Sequence, residues 1–91
     1  MAGKQHLSMR TDTSGRLTAE ARHELPDSDF GIPEMREFPL IDAAHVRAAE
    51  AYFRYAPDSK KAALARRIVD RARRFGVHIQ SRVVRGWANE E

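Results

Sequence analysis

The sequence predicts a mainly α domain, a helical hairpin capped by a proline-rich loop, and three observations predict it. Residues 64–75 carry a helical apolar period that ends at Gly76, residues 42–56 form an alanine-rich segment opened by Asp42, and residues 25–41 are punctuated by Pro26, Pro33 and Pro39. The first two read as helices, because apolar side chains three and four positions apart share one face. The third reads as turns and extended dipeptides, since proline fixes its own φ and disfavours the α region for the residue before it.

Residues 1–24 mix Gly, Ser, Thr, Gln and alternating charges around scattered apolar residues such as Leu7, Met9 and Leu17. So little apolar surface does not offset chain entropy, and a flexible N-terminal arm is expected over 1–24. Within it Thr18 offers a hydroxyl cap for a short helical turn over TAEAR. The compact helical domain is expected over 25–79. PDSD, from Pro26, is a turn, because Asp and Ser side chains bond the backbone just downstream. Phe30, Ile32, Phe38, Leu40 and Ile41 are spaced to plug a groove between two helices.

Asp42 can accept the free N–H groups of the turn that follows it, so the first helix runs from there to about Ala56. Val46, Ala49 and Phe53 form its buried stripe, flanked by His45 and Tyr52. Pro57 breaks the chain and the second helix starts at Pro57 or Asp58, with Lys61, Leu64, Ala65, Ile68, Ala72 and Phe75 along one face. Gly76 stops it, just after Arg73 and Arg74 at the negative end. Beyond it, Val77 and Ile79 alternate with His78 and Gln80, and Val83 and Val84 lead toward Trp87. This pattern reads as one or two short strands or as an extended C-terminal tail over 80–91.

Several short blocks occur in a fixed order: LPDSDFGIP from Leu25, REFPL from Arg36, DAAHV from Asp42, FRYAP from Phe53 and ARRIVDRARRFGV from Ala65. In this ordered set the chain resembles a small domain of uncharacterised function that recurs in phages, prophages and bacterial genomes. The resemblance implies a compact appendage or a stand-alone phage product and carries over no catalytic residue. Residues 1–24 and those after Ile79 lie outside the pattern.

Charge gives the functional lead. The chain of 91 residues has a net charge of +3, and residues 58–76 alone hold seven bases against two acids, while residues 1–41 hold five bases against seven acids. The whole excess therefore sits in the second helix, and a localised basic stripe implies an acidic partner. Lys60, Arg67, Arg71 and Arg74 lie beside or opposite its apolar face, and Arg66 and Arg73 flank Asp70 at helical spacing. Arginine outnumbers lysine five to two here, and its planar fork suits phosphate and carboxylate alike. A solvated helix face is the bland alternative. Trp87 lies in a polar context where it either folds back onto the core or stands out as an anchor for a partner.

Other chemistries find less support. No two of His6, His23, His45 and His78 share the spacing of a metal pair. Asp27, Ser28 and Asp29 lack a positioned base and an oxyanion site, and Gly31 lacks the neighbours of a phosphate loop. No catalytic residue, metal or cofactor is expected. The chain has no cysteine and no apolar run long enough for a bilayer, which fits an intracellular setting, cytoplasmic or virion-associated, away from membranes. The expected function is a non-enzymatic, phage- or prophage-associated module that docks on an acidic protein surface or nucleic acid. Lys60, Arg67, Arg71, Arg74 and Trp87, with a flexible terminus, would make the contacts. Sequence-tolerant DNA or RNA binding proper, and inhibition of a host defence enzyme, are the alternatives.

Overall fold

Thr18 accepts a hydrogen bond from the Ala21 N–H at 3.1 Å and so caps α1, Ala19–Glu24, the first helix of a computed structural model that describes residues 17–89. Ala21 and Leu25 are buried, which ties this helix into the fold. The arm expected over 1–24 therefore does not extend to α1, and its residues 1–16 lie outside the described residues.

The segment that follows carries more regular structure than turns alone. A 3₁₀ turn, Asp27–Asp29, leads into β1, Phe30–Ile32; a second, Pro33–Met35, leads into β2, Glu37–Pro39. The strands pair antiparallel, Phe30 opposite Pro39 and Ile32 opposite Glu37. Arg36 and Phe38 adopt left-handed backbone, φ 51° and 61°, uncommon for residues with a side chain. Arg36 is held there by its own guanidinium, which donates to the carbonyls of Arg22 at 2.9 Å, His23 at 3.3 Å and Leu25 at 3.1 Å, and to Asp27 Oδ1 at 2.6 Å. A cation on the last carbonyls of α1 completes that helix. Arg22 returns the contact by donating to the Arg36 carbonyl, and the two guanidinium carbons lie 5.3 and 4.6 Å from the Phe30 ring centre.

Asp42 caps α2, Ala43–Tyr52, accepting from the His45 N–H and contacting the His45 ring nitrogen, both at 2.8 Å. A 3₁₀ turn, Phe53–Tyr55, and Pro57 separate it from α3, Asp58–Phe75, which ends at Gly76 with φ 70°. α3 and the break at Pro57 lie where the sequence placed them; α2 stops at Tyr52, short of the expected Ala56, and the 3₁₀ turn fills the interval. Val46 and Ala49 of α2 and Phe53 of the 3₁₀ turn share one core with Leu64, Ala65, Ile68 and Ala72 of α3, which Ile32 and Leu40 close from the loop side. Gly31 lets that loop approach: a β-carbon there would lie 2.3 Å from Leu64 Cδ1 and 3.2 Å from Phe38 Cβ. Lys61, which the apolar period placed on the inner face, carries its ammonium 5.9 Å from the Phe53 ring centre and 2.9 Å from Asp58 Oδ1.

The end of the chain departs from expectation. Residues 77–81 are irregular, with no strand, and the stretch read as an extended tail over 80–91 forms α4, Arg82–Asn89. Val84 is 1% exposed and Ile79 7%, so both belong to the core. The start of α4 is fixed from two directions: Ser81 Oγ accepts from the Val84 N–H at 3.1 Å, and Glu50 of α2 accepts from the N–H groups of Gln80 and Ser81 at 2.8 and 2.7 Å. The described fold is thus mainly α, four helices and a two-stranded sheet, with α3 in the centre, the 25–41 segment on one flank and α4 on the other. Among the described residues no helix is long and apolar enough to cross a membrane.

Candidate docking surface

Seven bases enter the 58–76 segment and the fold assigns them different tasks. Arg71 is consumed by the structure. Its guanidinium donates to the Leu40 carbonyl at 2.8 Å, the Ser28 carbonyl at 2.9 Å and Asp29 Oδ1 at 3.2 Å, and its side chain is only 14% exposed. The expectation that Arg71 contacts a partner is therefore corrected: it rivets the 25–41 segment to α3. Lys60 pairs with Glu34, whose carboxyl this hydrogen bond holds below its ordinary value. Lys61 is taken by Asp58.

Arg67, Arg73 and Arg74 remain exposed on the outer side of α3. Arg67 and Arg73 make no hydrogen bond or ion pair among the described residues, and the Arg74 guanidinium lies 5.9 Å from the Phe75 ring centre. Beside them the 3₁₀ turn Asp27–Asp29 and α3 enclose a concavity of about 400 Å³, lined by Ser28, Phe30, Leu40, Ala63, Arg66, Arg67, Asp70 and Arg71. The expected contacts thus separate. Arg67 lies on this concavity and Arg74 on the same side of α3, one turn past Asp70; Lys60 is ion-paired one turn away, and Arg71 forms the inner wall. Asp70 interrupts the positive surface.

Trp87 belongs to another place. With Val83, Gly86, Arg82 and Ala62 of α3 it lines an open groove of about 450 Å³ between α3 and α4. Trp87 is 38% exposed and Val83 59%, so neither is closed off by the fold. Sequence reasoning named Trp87 and missed Val83 and Gly86; the four-residue spacing of Val83 and Trp87 was the available signal, legible only once this stretch is known to be helical. Tyr52 and Tyr55 are also exposed, their ring centres 6.2 Å apart, with Arg54 over Tyr55.

The arrangement offers cations and an apolar groove. Among the described residues no three His, Cys, Asp or Glu side chains cluster as a metal ion would need. The Asp42 carboxyl, although partial burial pushes it up, is held below its ordinary 3.8 by the hydrogen bonds from the His45 backbone and ring, a helix-capping arrangement. No curated protein and no solved structure is significantly similar to the chain. One family model matches, over residues 4–82, ending at the first residue of α4 so that Val83, Gly86 and Trp87 lie past it. By that match, which covers most of its length, the chain belongs to a family of unknown function, DUF6582.

Proposed function

We propose that the protein is a non-enzymatic binding module that docks on an acidic partner through the outer side of α3, in a cytoplasmic, phage- or prophage-associated setting. The observation that carries this reading is the division of labour among the α3 bases. Lys60, Lys61 and Arg71 are neutralised inside the protein, and Arg67, Arg73 and Arg74 are left facing outward. A solvated face needs no such concavity beside it, whereas a docking face gains shape from it. Asp70, among the arginines of the concavity, favours a protein surface over nucleic acid, because a phosphate backbone presents an unbroken row of negative charge that a carboxylate opposes.

Titration of the full chain with polyglutamate, duplex DNA and single-stranded DNA at low and moderate salt tests the reading. Polyglutamate is expected to bind more tightly than either nucleic acid at equal salt, and an Arg67→Ala, Arg74→Ala double variant is expected to weaken it. Tight nucleic-acid binding whose logarithmic salt slope drops by about one per arginine removed would favour the nucleic-acid reading instead. Absence of binding to all three polyanions at low salt overturns both.

A further inference from the structure

The groove between α3 and α4 has a feature that a gap left by imperfect packing does not need. Gly86 forms part of its lining, and a β-carbon built there meets nothing within 4 Å. Glycine in a helix interior costs about 1 kcal/mol relative to alanine, and neither a positive φ nor a close backbone contact requires it here. What its absent side chain provides is depth: Val83 and Trp87 stand on α4 around a bare stretch of backbone, with Ala62, another small residue, across from it on α3. The opening of about 450 Å³ has room for one or two large aliphatic or aromatic side chains.

The charge at the groove selects the occupant. Arg82 lines it directly, and among the described residues no carboxylate does. Asp58, one turn before Ala62, is already paired with Lys61. An apolar slot with the Arg82 cation on its wall matches a segment that carries a large apolar side chain beside a carboxylate, the arrangement in which an amphipathic helix lays its apolar positions into a groove. We infer that the α3–α4 groove receives a leucine- or phenylalanine-type side chain of an acidic protein segment, with Trp87 and Val83 as the walls and Gly86 as the floor. This rests on the docking reading above and specifies the partner's chemistry at a second point on the surface.

Trp87 is the chain's single tryptophan, so its emission reports this groove alone. The full chain is titrated with three short helical peptides free of aromatic residues: one rich in glutamate and alanine with leucines one turn apart, its leucine-to-serine counterpart, and its glutamate-to-lysine counterpart. The acidic leucine peptide is expected to shift Trp87 emission to shorter wavelength and to bind about tenfold more tightly than the serine peptide, from burial of the leucine side chains. Gly86→Leu, which fills the floor without touching the core, and Val83→Asp, which places a carboxylate on the wall, are each expected to remove that advantage while circular dichroism stays that of the parent.

If both acidic peptides bind alike and both variants are silent, the groove inference falls and the docking reading stands. If the lysine peptide binds as well as the glutamate peptide and Gly86→Leu blocks both, the groove binds side chains without regard to charge; the acidic partner inferred here is then wrong and the docking reading loses its support at this point. Tighter binding of oligothymidylate than of the acidic leucine peptide, with quenching of Trp87, overturns the inference in favour of base stacking.

Discussion

On one flank of α3, guanidinium groups hold the 25–41 segment by its backbone: Arg71 reaches the carbonyls of Ser28 and Leu40, and Arg36 those of Arg22, His23 and Leu25. On the other flank, α4 rests on Val84 and Ile79 and takes one remote carboxylate, Glu50, to start it. The polar flank uses Arg36 and Arg71 to hold the segment and leaves Arg67 outward at the concavity beside it. The apolar flank satisfies its backbone with few polar contacts and leaves Val83 and Trp87 uncovered. The contrast teaches that a count of arginines does not measure what a helix can offer a partner; what matters is which of them the fold has already engaged.

Three experiments break or sharpen this contrast. The largest effect is expected at Ile68, which is fully buried beneath both flanks in the shared core. Ile68→Ala should cost about 2–5 kcal/mol, and in a small domain that is a large part of the total stability. Denaturant unfolding followed by Trp87 emission and by far-ultraviolet dichroism should show the two signals falling together. A Trp87 transition that separates from the dichroism would mean that α4 unfolds as a unit of its own and that the two flanks do not share one core.

The second experiment sets two arginines of one helix against each other. Arg71→Met keeps the aliphatic stem and removes the three donated hydrogen bonds, so a loss of about 2 kcal/mol is expected, while Arg67→Met should stay within about 0.5 kcal/mol. Arg71→Lys should recover little, because an ammonium does not reproduce the fork that spans Ser28, Asp29 and Leu40. Equal losses at the two positions would erase the distinction between engaged and outward arginines.

The third and smallest effect asks how a local cap differs from a remote one. Asp42 caps its own helix from three residues away, and its carboxyl is held below its ordinary value in the folded protein. A depressed folded value means that the stabilisation is fully present above the unfolded value, near 4, and is lost as pH falls through the folded one. The denaturation midpoint should therefore decline between about pH 5 and about pH 3, and Asp42→Asn, which keeps a capping oxygen without the charge, should decline less. Identical acid limbs for the two proteins would show that Asp42 ionisation does not contribute.

The same distinction between local and remote causes separates what was legible in the sequence from what was not. α2 and α3 announce themselves because their start, stop and buried stripe are written within each segment: Asp42 before α2, Pro57 and Gly76 around α3, and Leu64, Ile68 and Ala72 on one face. The hairpin inside the proline-rich segment was hidden because strands of three residues are too short to show alternation, and because all three residues of β1 are buried irrespective of parity while none of β2 is fully buried. α4 was hidden for a different reason. A valine pair and a glycine within eight residues give it little intrinsic helix propensity, and part of its start comes from Glu50, about thirty residues upstream. At the candidate docking surface, Arg67 was legible as an outward cation and Trp87 only as a residue that either folds back or stands out, whereas the role of Arg71 depends on two carbonyls that only the folded chain brings within reach.

The missing side chain at position 31 also has an evolutionary consequence. Because a methyl group on Gly31 and the Leu64 side chain would claim the same space, the two positions do not drift independently. A lineage that acquires alanine at 31 while keeping leucine at 64 must cross an overpacked intermediate, whereas one that first shortens residue 64 opens a void that the later methyl fills. Loop and central helix are coupled through that one contact, so the effect of a change at either position depends on the residue at the other.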